Sequence, residues 1–208
     1  MTETEEPLPL AEDQGDGPGL LRTIALTDAV VAIAMTLLVL PLVEVAGEVD
    51  PDDVWSVVSE RSDLLLSFVI SFAVVYVFWA AQGTAVRRLE RAGVEAPGWR
   101  ALNLLWLLVI AFLPFPTALV GRAVTTGTAV FYIGTMFVLS LLTSAITVVV
   151  DREVGPSGRA RWGWLTTAVF AVCAAISAVD ADAGLLALLA LLLLRVIEVW
   201  SDRHRSAR

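Results

Sequence analysis

The chain has 208 residues, of which 57% are apolar, and its mean hydropathy is +0.77. A water-soluble core of this size cannot hide so much apolar surface, so the composition excludes an ordinary soluble domain and predicts an all-α polytopic membrane protein. The formal net charge of −8 comes largely from acids in the N-terminal tail and around the first connection between apolar segments, and it does not indicate an acidic soluble surface.

The chain begins with an acidic segment that contains Pro and Gly and is typical of disorder. It has no basic n-region, so we expect no cleaved signal peptide. The predicted organisation is a disordered cytoplasmic tail at 1–20, a transmembrane domain at 21–202 and a basic cytoplasmic tail at 203–208. All basic residues are Arg, a bias typical of GC-rich prokaryotic genomes, so we expect a multi-pass protein of a prokaryotic cell membrane.

The transmembrane domain contains six apolar segments of about the length that crosses 30 Å of hydrocarbon. They cover residues 23–43, 62–84, 101–120, 125–149, 162–179 and 184–200. Pro114 and Pro116 lie in the outer part of segment 3 and predict a break or kink in that helix. The sequence therefore predicts six transmembrane helices in one membrane domain.

The arginine residues predict the orientation of these helices. They concentrate after segments 2, 4 and 6, at Arg87, Arg88, Arg91, Arg100, Arg152, Arg159, Arg161, Arg203, Arg205 and Arg208. The other connections hold only Arg61 and Arg122. Because basic loops are retained in the cytoplasm, both termini are predicted to be cytoplasmic.

Segment 1 contains a carboxylate, Asp28, which is costly in hydrocarbon unless it is paired or wetted. One interpretation makes it an ion ligand or proton relay, and the other makes it a structural anchor for the helix. Ile33, Thr36 and Leu40 share one helical face, and Asp28 lies about 140° around the helix from Ile33. This angular separation favours the structural interpretation, in which Asp28 is directed into its own subunit.

Polar residues of segments 1, 2 and 3 lie at a similar depth from the cytoplasmic boundary. Because each polar side chain needs a partner in hydrocarbon, we expect a buried hydrogen-bonded network that joins the three helices, with Arg22 as a charge partner of Asp28. The predicted members are Arg22, Thr27, Asp28, Trp79, Gln82 and Asn103.

These residues resemble motifs of the transmembrane-protein-175 (TMEM175) potassium channels, in particular their prokaryotic branch. The family's helix 1 begins with Arg-x-x-x-Phe-Ser-Asp, and this chain reads Arg22-Thr-Ile-Ala-Leu-Thr-Asp28. The stretch from Ser71 to Trp79 resembles family helix 2, but Gln82 stands where the family usually has His. The stretch from Asn103 to Thr117 resembles family helix 3.

The resemblance implies a homotetramer whose central pore is lined by helix 1. The family uses no Thr-Val-Gly-Tyr-Gly carbonyl filter, and this chain has none. Carried over by position, the constriction is a ring of Ile33 side chains, with Thr36 and Leu40 one and two turns outward. The implied function is a potassium-permeable cation channel with modest selectivity for K⁺ over Na⁺.

Other functions find less support in the sequence. Catalytic constellations are missing, so we expect no enzyme and no cofactor, and the only histidine, His204, lies in the C-terminal tail without other metal ligands. Expected partners are further copies of the chain, membrane lipids and monovalent cations, without nucleic acid. A secondary transporter that uses Asp28 as a coupling carboxylate, or a non-transporting membrane scaffold, remains an alternative.

Overall fold

A computed structural model of the protein describes residues 17–46, 62–94 and 96–188. In these ranges the chain forms helices joined by turns, and it contains no strand. Residues 181–188 are also helical. The preceding helices are α1 (Gly17–Leu37), α2 (Leu40–Ala46), α3 (Ser62–Ala92), α4 (Trp99–Phe112), α5 (Pro114–Arg122), α6 (Thr126–Val154) and α7 (Arg159–Ser177).

Five stretches of the described chain are helical, long and apolar enough to cross a membrane, which confirms the all-α, multi-pass prediction. Most of the predicted sixth segment lies outside the described residues, as do residues 1–16, the connection at 47–61 and the C-terminal tail with His204. The five stretches are Gly19–Val45, Leu64–Ala92, Trp99–Arg122, Thr126–Val154 and Arg159–Ser177.

The ends of α1 differ from the predicted ends of segment 1. The helix begins at Gly17, before the predicted tail boundary at residue 20, because Pro18 is tolerated in a first turn, where no intrahelical N–H donor is required. It ends at Leu37, four residues before Pro41. A proline removes the helical hydrogen bond to the carbonyl four residues earlier and its ring clashes with that carbonyl, so the chain turns and resumes as α2.

Two further boundaries have clear physical causes. Helix α3 continues to Ala92, beyond the predicted end at residue 84, because the Arg, Leu and Glu residues of its last turns favour helix although they are not all apolar. The predicted kink in segment 3 is confirmed: α4 ends at Phe112, and α5 begins at Pro114. Proline suits the first turn of a new helix and cannot continue the preceding one.

Helix α6 lies at the centre of the described bundle and packs against α3, α4, α5 and α7, whereas α1 packs against α3 and α4. Its core side chains, among them Met136 and Ile146, are fully buried. Hydrogen bonds that involve hydroxyl groups also link neighbouring helices and pair polar atoms inside the bundle. Trp106 Nε1 of α4 donates to Thr143 Oγ1 of α6 at 3.0 Å, and Ser140 Oγ lies 2.9 Å from Thr167 Oγ1 of α7.

A second set of contacts between helices lies at one end of the bundle. We call this end the basic end; it is formed by the end of α3, the start of α4, the end of α6 and the start of α7. The Arg88 guanidinium of α3 contacts the Asp151 carboxylate of α6 and donates to the Gly155 carbonyl. Ser157 Oγ donates to the same carboxylate, 2.8 Å from Oδ1. One arginine therefore ties α3 to the turn between α6 and α7.

Replacing Arg88 with Gln should lower the free energy of unfolding in detergent by about 2 kcal/mol, because it leaves a largely buried carboxylate without its cation. The matched control is Arg122→Gln, which breaks an exposed ion pair to Glu44 at 2.9 Å and should change stability by less than about 0.5 kcal/mol. Denaturant titration of purified protein measures both. Equal losses in the two variants would contradict the assigned role of Arg88.

Candidate functional site on helix α1

Helix α1 has one face that is buried in its own subunit. Thr27, Val31, Ala34 and Leu38, the last just beyond the helix, are spaced four, three and four residues apart and are all nearly inaccessible. This face packs against α3 and α4. The packing of this face sets the rotation of α1 about its axis and therefore determines which side chains point away from the bundle.

The opposite face of α1 is exposed in the single subunit. Ile33 is 59% exposed, Leu40 at the start of α2 is 49% exposed, and Thr36 is exposed between them. Leu26 and Ala29 are exposed as well. A strip of apolar side chains with one hydroxyl is thus available to lipid, to another subunit or to a permeation path.

The Thr36 hydroxyl has a defined orientation. Its Oγ1 donates to the Ile33 carbonyl one turn earlier at 2.7 Å. A hydroxyl has one hydrogen and two lone pairs, so this bond uses the hydrogen and leaves the oxygen as an acceptor. The group is therefore suited to solvate a cation.

Three of the predicted network residues form a buried chain of hydrogen bonds across α1, α3 and α4. Asn103 Nδ2 donates to Thr27 Oγ1 at 2.9 Å, and Gln82 Nε2 donates to Asn103 Oδ1 at 2.7 Å. Thr27 Oγ1 in turn donates to the Thr23 carbonyl at 2.8 Å. Asn103 uses both ends of its amide, so it is the link between the other two helices.

The predicted residues Asp28 and Trp79 form a separate contact. Trp79 Nε1 donates to Asp28 Oδ1 at 2.8 Å, and both residues are exposed in the single subunit. Asp28 is thus tied to α3 of its own subunit but is not buried there, because it lies at the edge between the two faces of α1. Arg22 is exposed and makes no ion pair with Asp28 in the part of the chain that the structure describes.

Sequence reasoning missed a buried hydroxyl cluster near the opposite end of the bundle. Ser71 Oγ of α3 lies 3.0 Å from Tyr132 Oη of α6, and Thr117 Oγ1 of α5 lies 3.0 Å from Ser71 Oγ. Ser67 Oγ donates to the Thr117 carbonyl at 3.3 Å. The available signal was the spacing of Ser67 and Ser71, which places two hydroxyls one turn apart on an apolar helix.

The comparisons with known proteins agree with the resemblance drawn from the motifs. Residues 22–114 match the family described as endosomal/lysosomal potassium channel TMEM175. A Streptomyces collinus protein described as a potassium channel is 33% identical over 104 residues, which is 49% of this chain and 47% of that protein. The aligned region thus spans about half the length of this relative.

A solved structure extends the likeness to most of the fold. It is a crystal structure described as a lysosomal potassium-selective channel TMEM175 homologue from Chamaesiphon minutus, with a TM-score of 0.72 and 22% identity. The match covers 87% of this chain and 98% of that chain. The likeness to the prokaryotic branch of the TMEM175 family is therefore confirmed, by sequence in the first helices and by fold over most of the molecule.

Proposed function

Since this chain is TMEM175-like, we propose that it is a potassium-permeable cation channel with a hydrophobic constriction in place of a carbonyl filter. The observation that carries the proposal is the division of α1 into a buried face and the exposed strip of Ile33, Thr36 and Leu40. In a non-transporting scaffold this strip would meet lipid or another subunit, and the Thr36 oxygen would have no cation to solvate.

The proposed channel is a homotetramer in which the four α1 helices surround the pore. Four Ile33 side chains form a neck that ions pass largely hydrated, and such a neck closes when it dewets. Four Thr36 oxygens beside it replace part of the ion's water, because their hydrogens are bonded to the Ile33 carbonyls. A few hydroxyls without a complete carbonyl cage account for modest selectivity of K⁺ over Na⁺.

The proposed orientation has the basic end in the cytoplasm. Exposed arginines at this end include Arg87, Arg91, Arg152, Arg159 and Arg161. Positively charged segments next to transmembrane helices are retained on the cytoplasmic side. Cations would then enter from outside through the end that carries α2 and α5.

The experiment that tests the function is a recording from purified protein in planar bilayers under K⁺ and Na⁺ gradients. Discrete ohmic current steps with a reversal potential displaced toward that of K⁺ are expected. Slow exchange at a fixed stoichiometry without current steps would instead support a transporter in which Asp28 is the coupling carboxylate. Absence of any flux would support a scaffold.

The potassium current should depend little on pH near neutrality. Gln82 cannot titrate, and the buried chain through Asn103 and Thr27 contains only amide and hydroxyl groups. We expect the current to change by less than about two-fold between pH 6 and pH 8, since no imidazole lies in this chain of bonds. A steep dependence that disappears in Asp28→Asn would refute this expectation.

A further inference from the structure

Helix α1 carries two charged side chains, Arg22 and Asp28, and they lie on different sides of the helix. Arg22 precedes Ile33 by 11 residues, so at about 100° per residue it lies within about 20° of Ile33 around the helix axis. Asp28 lies about 120° from Arg22 and accepts a hydrogen bond from Trp79 Nε1 of α3 at 2.8 Å. Of the two charges, Arg22 is therefore the one that shares the face of the exposed strip.

The exposed face of α1 continues from Ile33 toward Arg22. Leu26 and Ala29 lie between them at spacings of four, three and four residues, and all four residues are exposed. The helix is unbroken from Gly17 to Leu37, so the angular positions of its side chains are preserved over this length. Whatever lies along the Ile33 side of α1 therefore also meets Arg22.

Arg22 lies toward the basic end of the bundle. The start of α1 lies against the start of α4 there, since a Cβ on Gly19 would lie 2.9 Å from Arg100 Nη2. Arg22 takes part in no ion pair among the described residues, so no described acid of its own subunit neutralises it by direct contact. At about 1.5 Å per residue it lies about 16 Å from Ile33 along the helix axis. This distance places it at the mouth of the proposed pore and not at the neck.

We propose that four Arg22 side chains form a cationic ring at the cytoplasmic mouth and make the potassium current asymmetric. The proposal rests on the proposed function, in which the four α1 helices surround the pore. A positive ring lowers the local concentration of K⁺ and so slows the entry of ions from the cytoplasm. Ions that enter from outside have already passed the neck when they meet the ring. K⁺ uptake is then faster than K⁺ release at equal and opposite driving force.

The opposite mouth carries charges that do not hinder a cation. Glu44 of α2 is paired with Arg122 of α5 at 2.9 Å, so the positive charge of Arg122 is offset. Asp180 and Asp182, which follow the end of α7 at the same side, are negative. The described charges at the two ends therefore act in the same sense, toward easier entry from outside.

Single-channel recording in symmetric KCl tests the ring. At about 10 mM KCl, where the Debye length is about 30 Å, the wild type should pass about two-fold more current in one direction than in the other. Arg22→Gln should bring this ratio close to one, whereas Arg22→Lys keeps the charge and should preserve it. At about 1 M KCl the wild type and Arg22→Gln should become alike, because the Debye length falls to about 3 Å.

The matched control is Arg161→Gln, which removes an exposed arginine of the basic end that lies on α7. It should leave the ratio of the two currents unchanged, because Arg161 is not on α1. A loss of asymmetry in this variant as large as in Arg22→Gln would assign the effect to the overall charge of the basic end and overturn the ring.

Chemical modification changes the sign of the charge in a protein that has already folded. Arg22→Cys presents a thiol that a membrane-impermeant methanethiosulfonate reagent converts to a mixed disulfide, whereas the native Cys173 is buried. A cationic reagent should lower, and an anionic reagent should raise, the current that enters from the side of addition by about two-fold. The wild type treated with the same reagents should not respond.

The outcomes separate this proposal from the proposed function. A protein that carries no current contradicts the channel and the ring together. A K⁺ current whose ratio is unchanged in Arg22→Gln, or reagents of both signs with the same effect, overturns the ring alone. Loss of the tetramer in Arg22→Gln but not in Arg22→Lys, measured by cross-linking, would show that Arg22 pairs with an acid of a neighbouring copy and would also overturn the ring.

Discussion

Ile33→Ser should raise the permeability of the protein to Na⁺ relative to K⁺ several-fold. Ile33 is the most exposed of the large apolar residues on the strip, and in the proposed tetramer four copies form the narrowest apolar ring. A serine ring is wider and offers hydroxyls to either hydrated ion, so it removes the barrier that a dewetting neck imposes. Reversal potentials under bi-ionic conditions measure the permeability ratio.

The matched control is Leu108→Ser on α4, which makes the same kind of change at a residue that is 67% exposed and is not part of the α1 strip. It should leave the permeability ratio unchanged. Thr36→Val is a second test variant. It keeps the shape of the side chain but removes the oxygen that would solvate the ion, so the K⁺ conductance should fall. An unchanged ratio in Ile33→Ser would place the constriction elsewhere.

Asn103→Leu should lower the free energy of unfolding in detergent by about 2 kcal/mol, because Asn103 makes two buried hydrogen bonds to other helices. The substitution conserves volume but leaves Thr27 Oγ1 without a donor and Gln82 Nε2 without an acceptor, both inside the protein. The position of α1 against α3 and α4 then depends on apolar packing and on the exposed Trp79–Asp28 hydrogen bond. Denaturant titration gives the stability, and cross-linking gives the amount of the proposed tetramer.

A double-mutant cycle with Thr27→Val isolates the Thr27–Asn103 bond, because the second substitution should cost little once the first has been made. The control is Thr147→Val, whose hydroxyl bonds only the Thr143 carbonyl of its own helix at 2.9 Å. It should cost less than about 0.5 kcal/mol, since that bond links no other helix. Additive losses in the cycle would show that Thr27 and Asn103 act independently.

The sequence predicted the helices and much of the hydrogen-bonded network between α1, α3 and α4, because both depend on strong local signals. Long apolar runs define the spans, and polar groups at one depth in hydrocarbon must find one another, which identified Thr27, Gln82 and Asn103. The kink at Pro114 follows from the chemistry of a single residue. In each case the local rule and the tertiary arrangement agree.

Predictions that depend on how the helices are rotated against one another were partly wrong or missed contacts. The phase of α1 favoured an Asp28 directed into the subunit, but the side chain lies on the boundary of the buried face, where Trp79 of α3 reaches it. Arg22 was expected to pair with Asp28, although it lies almost two helical turns away along the chain. The Arg88–Asp151 contact joins residues 63 positions apart, and no local pattern indicates it.

The break between α1 and α2 has an electrical consequence. Pro41 has no N–H, so the Leu37 carbonyl loses its helical donor, and in a membrane such a group must meet water or another donor. In the proposed channel the apolar neck at Ile33 then ends at about Leu37, roughly 6 Å farther along the helix axis. The transmembrane voltage would fall mainly across this short length, so an ion would experience most of the membrane potential while passing one turn of α1.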